Sequence, residues 1–268
     1  MKPVFKPIDM WTFFKVGWCL WLALSAQLLH AQFSLDGQII QRSEIRNGAG
    51  RLIGADEDAA AFIAHRVRLQ AQYEMEGVTL YASIQDVRTW GNTSQVKPSD
   101  PFLSLHEGWA QISLGEFWKI KLGRQELNYD NFRFLGNLDW ALQARAHDFA
   151  LAKYEKENLK LHFGGGYNQD GQFLSGTIFE TPNQYKTAQM LRFENKWGAF
   201  HLSALLWNDG RQFTELDDAG NVVDKGVYYR LTLGLPTLKY QLGNTLLSAF
   251  YYHQLGKDPE GKNTNAFD

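Results

Sequence analysis

Arg66 and Arg68 stand two residues apart in a stretch, Ala61 to Glu76, that alternates strictly between two kinds of surface. With Phe62, Ala64, Gln70, Gln72 and Glu74 they form a mostly polar face; Ile63, His65, Val67, Leu69, Ala71, Tyr73 and Met75 form an apolar one. On an extended chain the two arginines are one pleat apart, roughly 7 Å at about 3.3 Å per residue. That arrangement suits recognition of an anion, above all a polymeric one. A guanidinium meets carboxylates through a planar fork and keeps its charge at any biological pH, and a second cation one pleat away takes the next contact. Each contact must attract the chain yet release it, and the acidic residues Glu44, Glu74 and Glu107 temper the grip. The same charges serve equally as salt bridges within a wall.

Other cations are placed less simply. Lys119 and Lys121 share the wet parity of their strand, where they gather anions or are merely solvated. Arg88 has the parity of Val78, Leu80, Ala82 and Ile84, and Arg124 that of Trp118, Ile120 and Leu122, so both fall on the apolar side unless a bulge, at Gly123 for Arg124, re-aims them. The stretch Tyr129 to Arg145 combines Phe132, Phe134, Leu135, Leu138 and Trp140 with Arg133, Asp139 and Arg145. Aromatic platforms beside arginines suit sugar rings and carboxylates; they also suit a constriction packed against a wall.

Catalytic patterns are not found. There is no Gly-x-Ser-x-Gly elbow, and His65, His106, His147, His162, His201 and His253 are scattered without a His-x-x-x-His or His-Glu-x-x-His pair. His147 and Asp148 are adjacent, and adjacent strand residues point to opposite faces. Asp217-Asp218-Ala219-Gly220-Asn221 reads as a hairpin tip rather than a calcium loop. Gly164-Gly165-Gly166 lies inside a strand, where glycines relieve crowding against an inward side chain or loop. No metal or cofactor is expected, and a net charge of -2 gives no basic excess for nucleic acid.

The elements that must carry these residues are long strands. An ordinary strand runs about 5 or 6 residues, whereas a transmembrane one takes roughly 9 to 11, tilted near 45°. Hydrocarbon offers no hydrogen bonds, so spanning strands must pair in a closed barrel. Strands are expected near Phe33 to Arg46, Ala61 to Glu76, Val78 to Trp90, Leu105 to Leu114, Phe117 to Asn128 and Ala146 to Lys156, then near Leu159 to Asn168, Tyr185 to Asn195, Ala199 to Asn208, Val227 to Gln241 and Thr245 to Gln254. Short connections alternate with long polar ones such as Asn47 to Ala60, Gly91 to Ser104, Tyr129 to Arg145, Gln169 to Gln184 and Asp209 to Gly226, as in outer-membrane barrels. The tryptophans Trp118 and Trp197 near short turns, and Trp90 and Trp207 at far strand ends, suggest two aromatic girdles. Pro236 marks an edge defect or bulge. The fold class is therefore all-β, an antiparallel transmembrane β-barrel of outer-membrane type, incomplete as given: eleven strands conflict with the even number expected, and Gly256 to Asp268 reads as the start of another outer loop of a truncated chain.

Averages hide this pattern, since 44% hydrophobic residues and a mean hydropathy of -0.35 are what alternating lumen and lipid faces produce. Residues 1–31 read as an export signal, with Lys2, Lys6 and Lys15 ahead of an apolar run from Val16 to Leu29 and cleavage expected after Ala31. Cys19, the one cysteine, lies in that run behind Gly17 and Trp18, so neither a lipid anchor nor thiol chemistry is expected in residues 32–268, the barrel domain.

The run Leu122 to Asp148 resembles the signature of the bacterial alginate-export porins: Gly123-Arg124-Gln125-Glu126-Leu127, Arg133, and Trp140 through Arg145 to Asp148. The likeness extends upstream through His65-Arg66-Val67-Arg68-Leu69, Asp86-Val87-Arg88-Thr89-Trp90-Gly91 and Leu105-His106-Glu107. It implies a monomeric outer-membrane barrel, not an enzyme, whose narrow Arg-rich lumen passes an anionic polyuronate by passive diffusion. Members have more strands than this chain supplies. The partners would be outer-membrane lipid, an acidic polysaccharide or other polyanion, and periplasmic export or modification proteins, with no nucleic acid and no cofactor. The lumen contacts expected from parity and resemblance are Arg66, Arg68, Arg88, Glu107, Lys119, Lys121, Arg124, Arg133, Trp140, Arg145 and Asp148. A general diffusion porin, a barrel enzyme acting on lipid or surface polymer, and an exported sugar-binding sandwich remain alternatives.

Overall fold

A computed structural model describes residues 33–268 apart from 49, 98, 178, 180 and 183. The expected export signal and Cys19 lie outside the described residues. Twelve strands follow one another in a single antiparallel sheet, each paired with its sequence neighbours: β1 (Phe33–Arg46), β2 (Ala60–Met75), β3 (Val78–Thr89), β4 (Leu103–Leu114), β5 (Trp118–Gln125), β6 (His147–Lys156), β7 (Leu159–Tyr167), β8 (Thr187–Trp197), β9 (Phe200–Leu216), β10 (Val222–Leu242), β11 (Thr245–Lys257) and β12 (Asn263–Phe267). The sheet is open, with β1 and β12 each paired on one edge. Tight turns join β2 to β3 and its equivalents; Gly77 adopts φ 73° there, a left-handed conformation that a two-residue hairpin demands.

Burial is inverted relative to a water-soluble protein. Arg66, Gln125, Ser203, Asp209 and Thr232 are almost wholly buried, while Val67, Leu69, Leu122 and Leu191 on the opposite parities are 43 to 46% exposed. A continuous apolar exterior around a charged interior requires hydrocarbon outside, because water would leave that surface unburied. This is the fold of an outer-membrane barrel wall.

Two bulges set which residues face inward. Ser83 pairs with Glu107 but Ile84 with Leu105, so His106 is an extra residue in β4, and both His106 and Glu107 are buried. At Pro236 the register of β10 shifts against both neighbours. Leu231, Leu233 and Leu235 face out before it, and Leu238, Tyr240 and Leu242 face out after it. Close packing explains one glycine: a Cβ on Gly164 would lie 2.8 Å from the Phe149 ring, which fills the interior beside it.

Three expectations are corrected. The tail is not a loop, since β12 pairs with β11 across the turn Asp258–Lys262, giving twelve strands rather than eleven; its polar Asn263-Thr264-Asn265 run carries no apolar alternation to reveal it. The long connection expected at Asp209 to Gly226 is mostly strand, because β9 and β10 continue outward with Phe213 stacked on Tyr228 at 4.2 Å. Only Asp217–Asn221 forms the tip, where the Asp217 carboxylate accepts from the Asn221 amide. Trp207 is no girdle residue: it shares the inward parity of Ser203, Leu205 and Asp209 and is buried. Trp118 and Trp197, near short turns, are exposed and packed on Tyr154 and Phe200 respectively.

Candidate functional site

The segment between β5 and β6, residues 126–146, folds into the space the sheet curves around. On one side it meets the first strands: Arg42 and Arg66 donate to the carbonyls of Trp140 and Leu142, and Gln85 to that of Gln143. On the other it meets the last ones, with Arg192 on Asp130 at 2.7 Å and the Tyr252 hydroxyl on Asn131 at 3.1 Å. One loop touching both ends of a linear strand order means that β1–β3 and β8–β11 face each other across a common interior.

Local preference alone would not give this loop. Asp130, Phe132, Leu138 and Ala144 all have φ between 53° and 57°, a region costly for residues with a Cβ, about 1 to 3 kcal/mol each. Tertiary contacts hold them there. Leu127 and Leu135 are buried in a core with Phe149, Leu151, Trp207 and Tyr252. Arg145 clamps the loop from within, donating to the carbonyls of Phe134 and Gly136. Burial pushes the Tyr129 phenol well above its ordinary value, so it keeps its proton and donates to His162 Nδ1 at 2.9 Å, leaving Nε2 to face Glu155 at 3.2 Å.

The expected site residues divide into three groups. Arg66 and Arg68 face inward but are occupied: Arg66 bonds Gln38, Asp139 and the Leu142 carbonyl, and Arg68 bonds Gln85 and lies 3.7 Å from Glu126. Glu107, Lys119, Lys121 and Arg145 also face the interior. Glu107 accepts from the Glu126 amide, Lys119 pairs with Glu155 at 3.2 Å, and Lys121 Nζ lies 3.8 Å over the Trp109 ring. Arg133, beside β11, pairs with Asp268, and Trp140 on the loop is largely exposed.

Arg88, Arg124 and Asp148 do not carry inward parity. Arg88 pairs with Asp86 on the outer face and with Asp100 at 2.8 Å; Lys97, and then Arg88, hold the Asp100 carboxyl far below the carboxylate range. No register shift occurs at Gly123, so the expected bulge is absent and Arg124 keeps the parity of Leu122, pairing with Asp148 at 3.0 Å at the end of its strand.

Two cavities flank the loop. The one on the side of the short turns, about 560 Å³, is lined by Lys121, Lys153, Lys160 and Arg192, with His162, against Glu107, Glu126, Asp130, Glu155 and Glu194. Arg192 is paired with Asp130 and Glu194 at 2.7 Å each. Lys153 reaches Gln111 at 3.3 Å, and among the described residues neither it nor Lys121 forms an ion pair. The cavity on the side of the long connections, about 380 Å³, is lined by Arg124, Arg145, Arg211 and Arg230 with a single aspartate, Asp209, beside His147 and Tyr185. Arg192, Arg211, Arg230, Lys153 and Asp209 were not among the expected contacts. Arg192 has the parity of Ala188, Met190 and Glu194, so its inward aim was readable; Arg211 was hidden by the assumption of a loop.

The bulge also gathers possible metal ligands. His106, Glu107 and Glu126 offer ligand atoms within 4.8 Å of one another. All three are engaged by the protein, His106 Nε2 to Glu126 at 2.8 Å and Glu107 to the Trp109 indole at 3.3 Å. Burial pushes the Glu126 carboxyl up, but bonds from His106, Asn137 and Asn128 outweigh it and hold the group below its ordinary 4.5.

No protein-family model matches the chain, and no curated protein matches it. Among solved structures it is similar to Salmonella typhi OmpF in complex with daunomycin, with a TM-score of 0.49 and 14% identity over 84% of this chain and 66% of that one. It is also similar to a loop-deletion form of OmpT, an outer membrane protein of Vibrio cholerae, at 0.47 and 12% over 84% of this chain and 70% of that one. The trimer form of OmpT gives 0.38 and 12%, covering 88% and 81%. This chain thus spans just under two thirds of the OmpF length. The fold assignment rests on the sheet and its inverted burial, not on these likenesses.

Proposed function

We propose that the protein is a channel of the outer membrane, porin-like rather than enzymatic, that passes anionic saccharides down their gradient, an acidic polysaccharide of the alginate type being the cargo that the sequence resemblance favours. One observation carries the anion preference. The cavity on the side of the long connections sets four arginines against one carboxylate among the described residues, and in the turn-side cavity Lys121 and Lys153 form no ion pair with a described residue. A cation without a carboxylate partner in a confined, low-dielectric space raises the local concentration of mobile anions. Lys121 over Trp109, itself stacked on Tyr81 at 5.0 Å, also sets a positive charge beside an aromatic platform.

A second reading, a general porin for small solutes, is favoured by the loop itself, which is pinned on both sides of the interior and narrows the path. Reversal potentials of single channels in a planar bilayer under a salt gradient test the proposal. Anion selectivity, with block by oligouronates that strengthens with chain length, is expected. Anion selectivity with block independent of length would favour the small-solute reading, and a cation-selective or silent protein would overturn both.

A further inference from the structure

We infer that the cavity on the side of the long connections is a saturable binding site for a single small hydroxy acid of the sugar-acid class. The inference rests on the channel reading above and gives it a specific stopping point. The cavity is not lined like a wall that balances its own charge. Among the described residues four arginines line it against one aspartate; even with Arg124 paired to Asp148 at 3.0 Å, two guanidinium charges have no described carboxylate there. Arg145 finds only carbonyls. Arg211 and Arg230 share one Asp209 oxygen, each at 3.5 Å, the outer limit of a hydrogen bond.

Around the same space, three buried polar atoms have no hydrogen-bond partner among the described residues: Asp209 Oδ1, Arg230 Nε and His147 Nε2. Asp209 and His147 are both more than nine-tenths buried, and His147 is fixed by the Tyr185 hydroxyl at 3.1 Å on its other nitrogen. Burying a polar group without a partner is unfavourable, so a cluster of them beside a cavity points to the groups a ligand would meet there. The unmet demands specify it. Arg230 and Arg211 require an anionic acceptor, which a carboxylate supplies in bidentate form. Asp209 Oδ1 requires a donor, which acetate and chloride lack and a hydroxyl supplies. A molecule with a carboxylate and hydroxyls satisfies both, and about 380 Å³ holds one such unit, not a chain.

The test uses the full chain in a planar bilayer, with D-glucuronate, glucose and acetate as probes of channel block, and fluorescence of the protein in detergent as a second readout. Glucuronate is expected to block saturably, with glucose and acetate each weaker by roughly tenfold or more, the worth of one lost hydrogen-bonded contact to a charged group. Arg230→Gln should weaken glucuronate and acetate alike. Asp209→Ala should cut the preference for glucuronate over acetate severalfold, because it removes the hydroxyl acceptor, while the arginines it frees would favour both acids alike. Arg211→Gln repeats the first arm if Arg230→Gln fails to fold. Equal block by acetate would mean a bare anion site, equal block by glucose a neutral-sugar site, and no saturation no site; each overturns the inference. Anion-selective conductance without saturable block would sink the site and leave the channel, whereas saturable binding to a protein without such conductance would sink the channel and leave the site.

Discussion

At the scale of single residues, the interior is a set of charges assigned to holding the loop, with few left over. Asp130 and Arg192, both nearly inaccessible, meet at 2.7 and 3.1 Å, and Thr237 adds a contact to Asp130 at 3.3 Å. Removing one member of such a pair strands a buried charge, at a cost of about 3 to 5 kcal/mol, whereas replacing both with apolar residues costs far less. Arg192→Met should therefore lower stability by that amount in denaturant titrations of refolded protein. Arg192→Met with Asp130→Leu should recover most of it, and equal loss in the single and double variants would rule the pair out as the anchor. Glu126 gives a pH-dependent counterpart. Its folded carboxyl lies below the ordinary 4.5, so its contribution is fully present above that value and is lost as pH falls through the lowered one. Hydrogen exchange of the loop amides should stay slow down to about the ordinary carboxylate value and speed up below it. Glu126→Gln should remove that step, and a step that survives the substitution would assign it to another group.

At the scale of elements, the two bulges decide which face of a strand meets lipid, and they show what was legible in the sequence. Alternation of Leu231, Leu233 and Leu235, a proline, then Leu238, Tyr240 and Leu242 announces a change of phase at Pro236, and the register shift is there. Deleting Pro236 would remove the extra residue and leave Leu238, Tyr240 and Leu242 facing out, whereas inserting an alanine after it would turn Lys239 toward lipid, at up to ~2 to 4 kcal/mol if it lies near the bilayer midplane, together with a flip of every side chain beyond it. The insertion should fail to give the heat-resistant, compact species of a folded barrel on gels, while the deletion and Pro236→Ala should still give it; a folded insertion would show that the bulge is not what sets the phase. Strand positions and the inward aim of Arg66, Arg68, Lys119 and Lys121 were likewise readable, because period-two patterning is local. The bulge at His106 was not, since nothing in Leu105-His106-Glu107 signals an extra residue until the partner strand supplies the register. Nor was the fate of the arginines: that Arg66 ends under the Leu142 carbonyl depends on a loop 76 residues away. The same loop takes left-handed conformations at four non-glycine residues, which only its tertiary contacts dictate.

At the scale of the whole molecule, an apolar exterior fixes the solvent and a crowded interior fixes the traffic. The net charge of -2 says nothing of selectivity, because outward pairs such as Arg88 with Asp86 never face the path. What an ion in the proposed channel would meet is the inner surface on either side of the loop, where, among the described residues, Lys121 and Lys153 form no ion pair on one side and Arg211 and Arg230 share a single aspartate on the other. If those charges act through their field, selectivity must weaken as salt screens them: the Debye length falls from about 10 Å at 0.1 M to about 3 Å at 1 M. The ratio of anion to cation permeability should accordingly be well above one at 0.1 M and approach one at 1 M. Lys121→Gln with Lys153→Gln should lower the 0.1 M value severalfold and leave the 1 M value nearly unchanged. A ratio that ignores both salt and the lysines would place the discrimination in the width of the gap beside the loop, since steric exclusion has no Debye length.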